Sequence, residues 1–316
     1  MSEGRLRLTL LGGFLGSGKT TWLRHHLHRR AFGHVHVIVN EAADAPVDDA
    51  LLRGADQMTL LAGACVCCDG QAQLQAVLLD LCDRRSRITE PGARLENIVL
   101  ETSGLADPAA ILTVIQNHPV LVRQIVVAET IVVVDALNAI DQMQHEALSR
   151  KQIEAADCLI LTKTDIASAS RVAELRATLG VMAPGAVQSA ASFGSAMALG
   201  PLAPDTQPVA LGALAGQALP AIHASQLDLG DAPDWTAFTV WLSALLYARG
   251  DQIVRVKGVV RTPAGRLLLQ TVRRTVQSPE ILPDTEAPCQ TDNCIAVIGR
   301  GFTHDQLVES RARFSV

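Results

Sequence analysis

The stretch Gly13-Phe14-Leu15-Gly16-Ser17-Gly18-Lys19-Thr20-Thr21 matches G-x-x-x-x-G-K-[ST], and its flanks decide the fold. Upstream, Leu6, Leu8 and Leu10 alternate with Arg5, Arg7 and Thr9, the period of a strand. Downstream, Trp22 to Arg30 reads as a helix. Strand, glycine turn and helix together aim backbone N–H groups and the positive end of a helix dipole at a phosphate. Gly13, Gly16 and Gly18 permit the close approach, and Ser17 and Thr21 complete the loop. Lys19 adds a point charge near the β- and γ-phosphates, and Thr20 offers a hydroxyl to magnesium. A nucleotide site is expected here.

Working outward, HVHVIVN (34–40), NIVLE (97–101), TIVVVD (130–135) and CLILTK (158–163) read as further strands. Most are short apolar runs closed by polar residues, with helical patterns between them at 71–85, 109–117, 137–150 and 169–179. That order implies an α/β domain with a mostly parallel sheet, its chemistry gathered at the C-terminal strand ends. Residues 1–193 form this domain. The Ala-, Gly- and Pro-rich stretch 194–234 reads as a mobile connector, and 235–316 as a smaller α+β domain. In that domain 236–246 and 252–260 are alternating or apolar, 266–276 is a hairpin partner, 294–300 a strand and 303–313 a closing helix.

The chain has 316 residues, 48% hydrophobic and 19% charged, with a formal net charge of -5. This balance gives no global attraction to nucleic acid or an anionic membrane, and the basic run Arg24 to Arg30 reads as a solvated helix face. No apolar run approaches a membrane span and no secretory signal is visible, so a cytoplasmic protein is expected. Seven cysteines, three of them within four positions, do not resemble a disulfide framework.

Three further sites fall at expected strand ends. In ETSGLADP, Glu101 stands where a carboxylate supports magnesium, and Gly104 where a backbone N–H meets the γ-phosphate. In TKTD, Asp165 accepts from the N1 and N2 donors of guanine, which adenine lacks, and the stem of Lys163 lies over the base. Residues 188–191 are the expected last base-contacting loop. The acidic stretch after the second strand holds Asn40, Glu41, Asp44, Asp48 and Asp49; Asp48 is assigned to orient the attacking water, while Asp44 and Asp49 singly read as solvated.

Cys65, Cys67 and Cys68 form a C-x-C-C cluster inside the same domain. Soft thiolates this close suit zinc or copper(I), and three of them leave an exchangeable position, with Glu41 as its occupant. Cys82 and Cys158 read as buried small residues. Cys289 and Cys294, with His304 beyond, read as a hairpin with incidental cysteines.

GFLGSGKTT, the NE pair, C-x-C-C, ETSGLADP and TKTD occur here in the order seen in the CobW-like family of P-loop GTPases. IVRVKGVV (253–260) and IGRGFTHDQL (298–307) resemble that family's C-terminal domain. The family is similar to the nickel chaperones of urease and hydrogenase assembly. What the resemblance implies is a GTP-dependent metallochaperone that uses GTP, GDP and magnesium. It would carry zinc, or in some branches cobalt or iron, to a metalloprotein client; a homodimer is compatible with it. Ala42 and Ala43 replace the family's usual Phe-Gly, and Thr162 stands where Asn is usual, which weakens a loop-bracing hydrogen bond. Arg274 and Gln277 stand where histidines are common. Two rival readings are a P-loop ATPase or kinase with incidental cysteines, and a nucleotide-modulated zinc buffer or sensor without a client.

Overall fold

A computed structural model describes residues 4–41, 57–62, 70–90, 94–212, 222–250, 252–272, 275–276, 279–282 and 292–314. The chain divides into two units, Met1–Gln217 and Ala218–Val316.

In the first unit, β1 (Leu6–Gly12) lies between the parallel strands β4 (Asn97–Glu101) and β5 (Ile125–Asp135). Outward on one side follow β2 (Val35–Glu41) and β3 (Gln57–Ala62). On the other are β6 (Cys158–Thr162), β7 (Val187–Ser192) and β8 (Ser195–Met197), giving the order β3-β2-β4-β1-β5-β6-β7-β8. Among the described strands of this unit, only β8, paired with β7, is antiparallel. The helices are α1 (Lys19–His28), α2 (Gln71–Arg87), α3 (Pro108–Gln116), α4 (Leu121–Gln124), α5 (Ala139–His145), α6 (Ala147–Glu154) and α7 (Ala169–Met182).

The apolar strands are continuous because both faces are covered. Ile131 and Val133 of β5 pack with Trp22, Leu23 and Leu27 of α1 on one face. Val132 and Val134 pack with Met143, Ile153, Leu175 and Leu179 of α5, α6 and α7 on the other. From β1 the chain crosses to β2 on one side, and later to β5 on the other. The C-terminal end of β1 is therefore the switch point at which open α/β sheets form a ligand crevice.

The structure departs from the sequence expectation at several elements. β5 begins five residues before the expected Thr130, and a register shift opposite Leu8 and Thr9 absorbs the irregular segment before it. The single helix expected over 137–150 is two, separated at Glu146, whose backbone is extended (φ -117, ψ 108). Each piece buries its own face, Ala139, Ile140 and Met143 in α5 and Ser149, Gln152 and Ile153 in α6. Edge strand β3 has no counterpart in the sequence reading.

The second unit is an antiparallel sheet in the order β12-β11-β10-β14-β9, with β13 also on β11. Its strands are β9 (Ile222–Asp228), β10 (Ile253–Thr262), β11 (Gly265–Val272), β12 (Thr275–Val276), β13 (Glu280–Leu282) and β14 (Cys294–Arg300). The stretch read as a connector thus carries β8 near its start and β9 near its end. The stretch 236–246 lies in a helix, α8 (Trp235–Arg249), capped by the Asp234 side chain. Its Phe238, Trp241, Leu242 and Leu245 pack with Val256, Ile295 and Val297, and with Leu307 of α9 (His304–Ala312). Before β14, the Asp292 carboxylate joins Arg266 at 2.8 Å and Arg261 at 2.8 Å, which holds the strand's entry against β10 and β11. Among the described residues, no helix is long and apolar enough to cross a membrane.

Candidate nucleotide site

The turn between β1 and α1 has a shape only glycine allows. Gly13 (φ 135°) would place a Cβ 2.3 Å from the Val133 carbonyl oxygen, and Gly16 (φ 74°) and Gly18 (φ 95°) are also left-handed. Gly18 is the N-cap of α1 and supplies no side-chain cap, which leaves the start of that helix to a phosphate. Lys19, only 9% exposed, donates from Nζ to the carbonyl oxygens of Gly13 at 2.9 Å and Phe14 at 3.1 Å. Its ammonium is thereby held over the loop. The Ser17 hydroxyl is buried and makes no hydrogen bond among the described residues.

β4 delivers the second group. Glu101 is 4% exposed, and its Oε1 accepts a hydrogen bond from Thr20 Oγ1 at 2.5 Å. Thr102 follows, pinned to β1 through its N–H and hydroxyl, both donated to the Leu11 carbonyl. The buried Ser103 hydroxyl is again without a partner among the described residues. Gly104 presses on the phosphate loop: a Cβ there would lie 2.6 Å from the Leu15 nitrogen. Asp107 then caps α3 by accepting from Ala109 N–H at 2.9 Å, with Pro108 at the first helical position. A hydroxyl and a carboxylate in contact, with two more buried hydroxyls nearby in sequence, are a hard-oxygen set that suits magnesium and phosphate.

β6 delivers the third. The Thr162 hydroxyl lies 2.8 Å from the Ser17 carbonyl and 3.3 Å from that of Val134. At Thr162, where the resemblance implies a weaker loop brace, the threonine hydroxyl still reaches the phosphate loop. Lys163, left-handed at φ 59°, donates to the Gly16 carbonyl at 3.0 Å and pairs with Asp135 at 2.6 Å. Asp135 closes β5 and is 2% exposed. Burial would raise its carboxyl, but hydrogen bonds from Lys163, Asn138 and the Leu137 N–H hold it below the usual carboxylate range. The clamp is thus intact at neutral pH and is lost only as pH falls through that depressed value. Asp165 follows on an exposed turn. Residues 188–191, expected to form the last base-contacting loop, instead lie in β7, and a turn at Phe193 and Gly194 follows it. A Cβ on Gly194 would lie 2.2 Å from His25 Cβ, so the turn sits against α1.

Sequence reasoning missed Asp135 and Gln152, although Asp135 carries the signal used for Glu101, a carboxylate ending an apolar strand. Gln152 of α6, 1% exposed, donates from Nε2 to the carbonyls of Gly104 at 3.1 Å and Ala106 at 2.9 Å. Asp44, Asp48, Asp49, Cys65, Cys67, Cys68, Arg274, Gln277 and Cys289 lie outside the described residues. Glu41 ends β2, its backbone paired with Ala62, the last residue of β3. Of the described cysteines, Cys82 has its thiol pushed up to about 11 by burial, and burial also raises Cys158 and Cys294. Among the described residues, no group of three His, Cys, Asp or Glu is placed to hold a metal ion.

Comparison with known proteins agrees with this geometry. A zinc chaperone, YjiA of Escherichia coli strain K12, is 36% identical over 181 residues, covering 57% of this chain and 56% of YjiA. The zinc-regulated GTPase metalloprotein activator 1 of Schizosaccharomyces pombe is 29% identical over 180 residues, covering 54% of this chain and 42% of its own. The matched region thus spans about half the length of these curated relatives. The crystal structure of a Zn(II)-bound triple mutant of the YjiA GTPase superposes with a TM-score of 0.63 at 26% identity over 99% of both chains. Residues 223–313 match the cobalamin synthesis protein cobW C-terminal domain. Residues 7–188 match the CobW/HypB/UreG nucleotide-binding domain, and the chain belongs to that family.

Proposed function

We propose that this protein is a GTP-hydrolysing metallochaperone, which binds a zinc-class ion at Cys65, Cys67 and Cys68 and passes it to a metalloprotein client under nucleotide control. The observation that carries this reading is the register of β2. On one side β2 pairs with β4, Val39 opposite Glu101; on the other it pairs with β3, Glu41 opposite Ala62. Cys65 follows Ala62 by three residues. One strand therefore links the carboxylate of the phosphate site to the start of the thiolate loop. A relative named a zinc chaperone and another named a zinc-regulated GTPase metalloprotein activator support the metallochaperone part of this reading.

In this mechanism the N–H groups of the glycine loop and Lys19 hold the β- and γ-phosphates, and Asp165 selects guanine. Thr20 and Glu101 would hold magnesium, whose positive charge offsets that developing on the phosphate oxygens. Gly104 N–H meets the γ-phosphate, and Asp48 orients the attacking water. Loss of the γ-phosphate releases the Gly104 loop and, through β4 and β2, alters the thiolate site. Zinc is the ion that best suits three thiolates and a carboxylate from Glu41, with cobalt or iron as alternatives.

Changing Cys65, Cys67 and Cys68 together to serine should abolish tight zinc binding and leave GDP affinity, measured without zinc, within about twofold, since the phosphate loop uses none of the three. Equilibrium dialysis with zinc, alongside fluorescent-GDP titration, checks this. Unchanged zinc stoichiometry in the triple variant would place the metal elsewhere.

A further inference from the structure

We propose that Gln152 is a positioning residue for the γ-phosphate-sensing loop, holding Gly104 in the geometry that distinguishes GTP from GDP. This rests on the reading above in which the Gly104 N–H meets the γ-phosphate. Gln152 lies on α6, not on the loop, and its Nε2 donates to both the Gly104 and the Ala106 carbonyls. Both partners are acceptors, so only the amide nitrogen can serve them, and both of its hydrogens are committed. The side chain is 1% exposed and Ala106 0% exposed, so no solvent replaces either bond. The anchored Gly104 carbonyl is separated from the Gly104 N–H only by that residue's own φ and ψ, and the Ala106 carbonyl fixes the chain two residues on. Two anchors on either side of the exposed Leu105 therefore set the loop's orientation where Gly104 packs on Leu15.

The anchor also has a direction. After α6 the chain passes through Asp157, whose N–H donates to the Thr130 carbonyl and whose carboxylate accepts from Thr130 N–H, into β6 and the TKTD turn. Gln152 thus fixes the γ-phosphate loop to the element that carries the base-reading residues. A glutamine buried merely to fill space would be replaceable by an apolar residue of equal length without changing nucleotide preference. A positioning residue would not.

Gln152→Met keeps the length and removes both donors. Titrating the purified full chain with fluorescent GDP and with a non-hydrolysable GTP analogue, in magnesium, should show GDP affinity within about twofold and analogue affinity down about tenfold. Gln152→Glu supplies a second readout. Protonated, its carboxyl donates one bond to the loop; ionised, it repels both carbonyls. Its analogue-to-GDP affinity ratio should therefore fall as pH rises from 5 to 8, relative to the unchanged protein. Gly104→Ala, titrated in parallel, separates the two claims. If Gly104→Ala shifts the ratio and both Gln152 variants leave it unmoved, Gln152 is structural and the proposal fails. If none of the variants shifts the ratio, the reading of the Gly104 loop fails, and the proposal with it.

Discussion

Replacing Lys19 by alanine is expected to lower GTP turnover at least a hundredfold, about the loss seen when one preorganised charge-stabilising group is removed from an active site. The ammonium is fixed over the phosphate loop by the carbonyls of Gly13 and Phe14. A phosphate arriving there meets a charge already in place, with little rearrangement required. Ground-state binding should weaken by about 1.5–3 kcal/mol, the usual worth of a charged hydrogen bond. The additional loss falls on the transition state, where negative charge accumulates on the oxygens Lys19 faces. The fold should persist, because the loop's shape rests on Gly13, Gly16 and Gly18 and on the buried leucines of β1. Phosphate release measured together with a thermal melt checks both halves. Full turnover by a folded Lys19→Ala protein would assign hydrolysis to another site.

The second large effect is expected at Asp165. In the proposed site the carboxylate would accept from two guanine donors, and asparagine would present a donor in exchange. Asp165→Asn should weaken GDP binding by about 1.5–3 kcal/mol, or roughly 10- to 150-fold, and narrow the gap between guanine and adenine nucleotides by a similar factor. The supporting frame is rigid. Lys163 is tied to both Gly16 and Asp135, and the N–H groups of Ile166 and Ala167 close back on the Lys163 carbonyl at 3.3 and 3.1 Å. The substitution changes the exposed end of a turn held elsewhere, so stability should barely move. Competition of ATP and GTP against fluorescent GDP gives the answer. Equal affinity for the two bases in the unchanged protein would remove the guanine assignment altogether.

The local parts of this architecture were legible from the amino acids. The phosphate loop declares itself because its glycines, lysine and threonine act within one turn, and β1 because its leucines alternate beside it. β4 and β6 were readable as apolar runs closed by Glu101 and Thr162. What escaped depends on distant partners. QMTLLA in β3 is short, and its strand state comes from pairing with β2. QSAAS in β7 has small residues of weak strand preference, and its register with β6 makes it a strand. Gln152 looks like any polar helix residue until α6 turns it onto Gly104, and Thr162 looks like a defect until its hydroxyl reaches Ser17. A departure from the family pattern thus still bonds the phosphate loop, which only the three-dimensional arrangement could show.

The central claim is that nucleotide state controls the metal, and zinc affinity measured by chelator competition on one sample without nucleotide, with GDP and with a GTP analogue tests it most directly. Linkage requires that any nucleotide effect on zinc equal the effect of zinc on nucleotide affinity. A coupling of about 1–3 kcal/mol would appear as a roughly 5- to 150-fold difference in zinc affinity between the GDP and GTP-analogue states. The account predicts a difference of that size, lost when Cys65, Cys67 and Cys68 are serine. One zinc affinity common to all three states would contradict it and leave a GTPase with a static metal site.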